Sequence, residues 1–164
     1  MSSTRIARHI HAPRAVVYRA LLDSHSVATW RVPTGMTCKV HEFDAREGGA
    51  FRISLTYDAP TGTGKTTAHT DTYHGHFVKL VPNRQVVEVF EFETTDPELR
   101  GEMTMTTTLA DADGGTDFLV VHEGIPRGVP LIDNEVGTRM SLANLATLVE
   151  AGWSHDIDSS PPRG

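Results

Sequence analysis

Cysteine is scarce in this chain: Cys38 is the only one among 164 residues. A lone cysteine excludes an intramolecular disulfide and any multi-cysteine metal site, and it suggests a reducing, cytoplasmic setting. Long apolar runs are missing as well. Nothing approaches the ~20 residues needed to cross a bilayer, so membrane insertion is not expected. The opening segment, MSSTRIARHIHAPRA, has no continuous apolar stretch of the kind a secretory leader carries. Positive charge is in deficit, with 15 Lys and Arg against 21 Asp and Glu and a net charge of −6. That balance disfavours nucleic acid or an anionic lipid surface as a partner, since either needs a basic face. No Gly-x-Ser-x-Gly elbow occurs and nothing activates Cys38, so covalent catalysis has no support.

What is present suits one globular unit. Hydrophobic residues make up 38% and charged residues 22%, enough for a single core at this length. Residues 1–152 are expected to form that domain. The polar, Pro-rich segment 153–164 is expected to be a disordered tail.

Residues 4–11 read as an opening strand. Pro13 favours a helix start, and Ala15 to Leu22 carries Val17, Leu21 and Leu22 on one side. Ser24 is positioned to cap a second short helix ending near Trp30, and Pro33 with Gly35 closes it. Strands follow over 38–43, over 51–57 in strict alternation, over 67–80, over 85–93, over 103–109 and over 116–122. Gly48-Gly49 marks a bend, Pro82-Asn83 a turn, and Asp113-Gly114-Gly115 a hairpin. From Pro130 to Ala151 the period becomes helical, with Val136, Met140, Leu142, Leu145, Leu148 and Val149 as an apolar stripe. Gly152 is a suitable C-terminal stop. The order β-α-α-β-β-β-β-β-β-α predicts an α+β fold in which a curved antiparallel sheet of six to seven strands wraps the long C-terminal helix.

One motif misleads. Ala59-Pro-Thr-Gly-Thr-Gly-Lys-Thr66 fits a tolerant phosphate-binding loop. That chemistry requires a buried parallel strand before the loop and a helix N-terminus after it. Here an alternating strand precedes and a β-branched run follows, so a hairpin loop with a solvated Lys65 is the better reading. No nucleotide or other cofactor is expected.

Several segments together resemble a known family. His9 to Leu22, with Pro13 and the Val16-Val17-Tyr18-Arg19-Ala20-Leu21 run, is similar to its opening strand and helix, and Trp30 falls where it often has tryptophan. Asp44-Ala-Arg-Glu-Gly-Gly-Ala-Phe51 is similar to its "D.R.GG.F" turn, and Tyr73-His-Gly-His-Phe77 with Val81-Pro82 to its "HG.F…L.P" segment. Thr116 to Gly124 and a final helix with Ser141-Leu142 complete the order. The chain thus resembles the START-like (SRPBCC) superfamily, and within it the domain shared with the C-terminal part of heat-shock ATPase activator homologues. The resemblance implies the helix-grip fold, with a cavity between sheet and helix for hydrophobic or amphipathic molecules. Members include lipid carriers, polyketide cyclases and aromatases, self-resistance proteins and chaperone cofactors, so fold leaves function open.

Alternation suggests the cavity lining: Trp30, Phe51, Ile53, Leu55, Tyr57, Phe90, Phe92, Met103, Met105, Phe118, Val120 and Met140, with plain core packing as the competing reading. Methionines and aromatics suit irregular apolar ligands because they repack readily. Among nine histidines, His74 and His76 share a strand face and are expected to reach the cavity; without a local third ligand, no metal site is assigned. Glu88 is in register with Phe90 and Phe92, and is expected as a polar cavity group. His122, in register with Phe118 and Val120, is the candidate for proton transfer near neutral pH.

Three functions remain open from the sequence: a carrier, sensor or sequestering protein for a small hydrophobic molecule; a chaperone-cofactor-like module with a protein partner; and a cyclase, aromatase or hydrolase-type enzyme using the cavity. No counterpart of the separate N-terminal domain of full activator homologues is visible, which weakens a direct carry-over of ATPase stimulation. Sheet edges and the outer sheet face would allow a homodimer, on which the sequence is silent.

Overall fold

The computed structural model describes residues 2–58 and 70–159, with side chains through 151. The hairpin-loop reading of 59–66, with Lys65, lies outside the described residues, as do 160–164 of the expected tail. The elements follow the expected order: β1 (Ser3–Ile10), α1 (Arg14–Leu21), α2 (Ser24–Trp30), β2 (Met36–Phe43), β3 (Ala50–Tyr57), β4 (Thr70–Val81), β5 (Gln85–Phe92), β6 (Met103–Ala112), β7 (Gly115–Glu123) and α3 (Leu131–Ser159).

The strands make one seven-stranded antiparallel sheet, ordered β1-β7-β6-β5-β4-β3-β2. Strands β2 to β7 form a meander of successive neighbours. The first strand joins it at the far edge, pairing Ile6 with Val120 and Thr4 with His122. The two short helices carry the chain from one edge to the other. Pro13 precedes α1 in extended conformation (φ −63°, ψ 153°), where its missing N–H costs nothing. The α2 cap is Asp23 rather than the expected Ser24. The Asp23 carboxylate accepts from the backbone N–H of Ser26 at 2.9 Å and from the Ser26 hydroxyl at 2.7 Å, a stronger acceptor than serine could supply.

Period-two patterning decides which side chains face the helix. Phe51 and Ile53 of β3 are buried, with Tyr73 and Phe77 of β4, Phe90 of β5, Met103 and Leu109 of β6, and Phe118 and Val120 of β7. Leu142, Leu145, Ala146 and Val149 of α3 close over this surface together with Ile6, Ile10, Val17 and Val27. Asn144 fixes the helix to the α2–β2 loop by donating to the Val32 carbonyl at 2.8 Å. Glu150 accepts from the His11 backbone N–H at 2.8 Å at the other end. Gly152 does not stop α3, which continues to Ser159. A glycine inside a helix weakens it by only about 1 kcal/mol, and the first residue that cannot continue a helix is Pro161.

Gly75 has a specific packing reason. It sits opposite Phe90 on the concave face, and a Cβ there would lie 2.0 Å from the Val89 carbonyl oxygen and 2.6 Å from the Phe90 Cβ. Gly75→Ala is expected to destabilise by about 3 kcal/mol, because backbone rather than a flexible side chain must move. Urea denaturation checks this, and a loss below about 0.5 kcal/mol would mean the two strands can separate without penalty.

Candidate functional site

Between the sheet and α3 lies a cavity of about 440 Å³. Its walls are built from both layers. The sheet supplies Leu55, Tyr57, Tyr73, Phe90, Phe92, Met105, Phe118 and Val120, and the helix supplies Val136, Met140 and Leu142. Trp30 and Arg31, at the end of α2, form part of the wall. The Trp30 indole N–H is satisfied within the scaffold, donating to the Ala20 carbonyl at 3.0 Å, so its ring presents an apolar face.

Of the residues expected to line a cavity, the structure gathers Trp30, Leu55, Tyr57, Phe90, Phe92, Met105, Phe118, Val120, His122 and Met140 around it. Phe51, Ile53 and Met103 share the concave face but are packed into the core, at 1%, 0% and 1% exposure. Two positions need correction. His74 and His76 point out of the other face of the sheet, since the inward row of β4 is Asp71, Tyr73, Gly75 and Phe77. His74 there contacts Glu93 at 3.0 Å, within a surface cluster that includes the Arg52–Glu93 pair. Among the described residues, no group of three His, Cys, Asp or Glu side chains is placed to hold a metal ion.

Beneath the cavity lies a buried ion pair of which the sequence revealed only one half. Glu88 faces inward as expected but lies below the lining, where it accepts from an Arg31 guanidinium nitrogen at 2.7 Å. The two side chains are 12% and 5% exposed. The Arg31 guanidinium also stands 5.6 Å from the ring centre of Tyr73 and 5.8 Å from those of Phe51 and Phe90, so three aromatic faces solvate the cation. Burial works against its charge, but Glu88, with Tyr73 and Cys38 adding to it, outweighs burial and holds the guanidinium above its ordinary range. Burial likewise pushes the Tyr73 phenol up to about 12, against the pull of Arg31, so it stays protonated. Burial raises Cys38 as well, which keeps it a thiol of low reactivity.

His122 also packs against the Phe90 ring, 5.4 Å from its centre. Its Nδ1 meets the Asn134 amide nitrogen at 2.9 Å, and the Asn134 carbonyl oxygen accepts from the Thr4 hydroxyl at 2.6 Å. Its Nε2 is buried with no partner, the one such side-chain atom among the described residues. Burial, with the Arg31 charge adding to it, lowers the His122 pKa to about 4. The side chain is therefore neutral at pH 7 and a weak proton acceptor. Proton transfer at neutral pH, as expected of His122 from the sequence, works best with a pKa nearer 7 than this. A separate His41–Ser54 contact of 2.7 Å lies against the outer side of the sheet, where the Ser54 hydroxyl also meets Thr72 at 2.7 Å; it orders three strands.

A single antiparallel sheet curled around one long helix, with a cavity between them, defines the helix-grip class of the START-like superfamily. The chain belongs to the family described as Activator of Hsp90 ATPase homolog 1-like protein, whose model matches residues 11–150. A protein of Chromobacterium violaceum with a crystal structure is 35% identical, with a TM-score of 0.80 over 92% of this chain and 99% of that one. Proteins of Rhodobacter sphaeroides (17% identity, TM-score 0.75, 92% and 93% coverage) and Arthrobacter aurescens (13%, 0.76, 91% and 86%) share the fold. No curated protein matches the chain. No helix among the described residues is long and apolar enough to cross a membrane.

Proposed function

We propose that the protein binds a small amphipathic molecule in the cavity between sheet and helix, in a carrier, sensor or sequestering role. The observation that carries this reading is the site's composition: an aromatic and methionine-lined space of about 440 Å³ with one unsatisfied polar atom at His122. Ligand sites of roughly 300–1,000 Å³ are built this way, with an apolar wall and few placed polar groups. Contact with about 200 Å² of apolar ligand surface would contribute about 5 kcal/mol before association costs, and micromolar binding, about 8 kcal/mol net, requires further burial and polar contacts beyond it.

Native mass spectrometry of gently purified protein tests the reading, followed by release and identification of any companion molecule. A thermal-shift panel of apolar ligands provides the parallel measurement. Met140→Trp is expected to fill the space, abolish the thermal shift and leave the apo protein folded, with a stability change within about 1–3 kcal/mol. Wild-type protein that carries nothing and shifts with no ligand would sink the proposal.

A second reading, a protein-interaction module as the family description suggests, is favoured by the first turns of α3. Leu131, Ile132 and Val136 there are 41%, 63% and 44% exposed, an apolar patch beside the cavity mouth. Ile132→Asp separates the two readings: it would weaken a protein partner at that patch while leaving small-molecule binding intact.

A further inference from the structure

We infer that His122 holds a fixed N–H donor at the cavity wall, and that the bound molecule is an uncharged one carrying a carbonyl-type oxygen at that end. The inference rests on the cavity being a binding site and specifies what it selects.

The donor is set by a chain of three side chains. Thr4 is buried on β1 and donates its hydroxyl to the Asn134 carbonyl oxygen at 2.6 Å. With the amide so placed, its nitrogen faces His122 Nδ1, 2.9 Å away. An amide nitrogen only donates, so Nδ1 must supply its lone pair and carry no proton. In a neutral imidazole the proton then resides on Nε2. Protonating the ring would set an N–H against the amide N–H, so the relay opposes the imidazolium independently of burial. The Nε2–H is thus a donor without a partner at a residue that lines the cavity; it is closed off from water in the empty protein, so a ligand oxygen reaches it by displacing a neighbouring side chain. A donor left unsatisfied in this way is costly, and an oxygen acceptor from a ligand removes that cost.

Charge bookkeeping around the site selects an uncharged acceptor. The cation in the wall, Arg31, is already paired with Glu88. The lining also includes the Asp133 side chain. Among the described residues a carboxylate head would therefore meet no unmatched positive charge and would approach Asp133. A ketone, ester or amide oxygen accepts the hydrogen bond without that repulsion. The rings of Trp30, Tyr57, Phe90, Phe92 and Phe118 supply flat apolar walls for the rest of the molecule.

Three probes of one skeleton test this: diphenylmethane, benzophenone and diphenylacetate, titrated against Trp30 fluorescence and calorimetry. Benzophenone should bind roughly tenfold more tightly than diphenylmethane, the factor for one hydrogen bond to a donor otherwise unsatisfied, and diphenylacetate should bind more weakly than benzophenone. In His122→Phe the benzophenone preference should collapse while diphenylmethane binding persists, which also reports that the variant is folded. Long-range ¹H–¹⁵N correlation on the wild-type protein should show His122 protonated at Nε2 and bare at Nδ1. Equal binding of benzophenone and diphenylmethane, tightest binding of diphenylacetate, or a proton on Nδ1 would each overturn the inference and leave the cavity reading standing. Failure of all three probes to bind would count against the cavity reading itself, and the ligand class would fall with it.

Discussion

Glu88→Ala is expected to lower stability by about 3–5 kcal/mol, the usual effect of stranding one member of a buried ion pair. The reason is local. Arg31 would keep its charge inside a ring of Phe51, Tyr73 and Phe90, with the partner at 2.7 Å gone. For a chain of this length the melting temperature should fall by roughly 2–4 °C for each kcal/mol. The double replacement Arg31→Met with Glu88→Leu should recover most of the loss, because apolar residues of similar volume carry no desolvation penalty. Guanidinium denaturation of the two singles and the double gives the coupling energy directly. A Glu88→Ala protein within about 0.5 kcal/mol of the parent would mean that Arg31 reaches solvent or another carboxylate when released.

Acidification should destabilise the protein through His122 before its carboxylates titrate. The folded-state pKa of about 4 lies below the ordinary histidine value near 6.5. The unfolded chain therefore binds a proton that the folded protein refuses over that interval. The contribution is complete above pH ~6.5 and is lost progressively as pH falls towards 4, amounting to about 3 kcal/mol. His122→Gln removes the titration while keeping an oxygen for the Asn134 amide. Between about pH 7.5 and 4, wild type should lose about 3 kcal/mol more than this variant in paired urea titrations. Parallel pH profiles for the two proteins would show that His122 is hydrated in the folded state.

Much of the architecture could be read from the chain because its strands alternate cleanly. Phe51 to Tyr57 and Phe118 to His122 each expose one apolar row, and the row assigns the concave face. The β4 strand did not yield to the same logic. Its inward row is Asp71, Tyr73, Gly75 and Phe77, so a glycine removes the middle side chain and an aspartate breaks the apolar sequence. The polar pair His74 and His76 then reads as a face of its own, which it is, on the outside. Arg31 was missed because nothing adjacent marks a charge at a helix end as buried. The signal in the sequence is Glu88, in register with two phenylalanines: an inward carboxylate requires a cation, and Arg31 is the one that meets it. The Thr4–Asn134–His122 relay joins residues 130 positions apart, and no local pattern encodes it. The α2 cap lies one residue before the expected Ser24, and α3 ends eight residues beyond the expected Ala151, because local propensity marks helix ends poorly.

The placement of β1 beside β7 has a consequence for how the molecule is assembled. Strands β2 to β7 can zip as consecutive hairpins, each closing a short loop soon after it leaves the ribosome. The first strand cannot: its register with residues 116–123 requires more than a hundred intervening residues to be made first. Closure of that long loop is entropically slow, so β1 is expected to be the last strand to dock. Thr4 travels with it. A nascent or partly opened chain would thus hold a complete meander with His122 not yet locked by its relay, and recognition chemistry would arise only in the final step of folding.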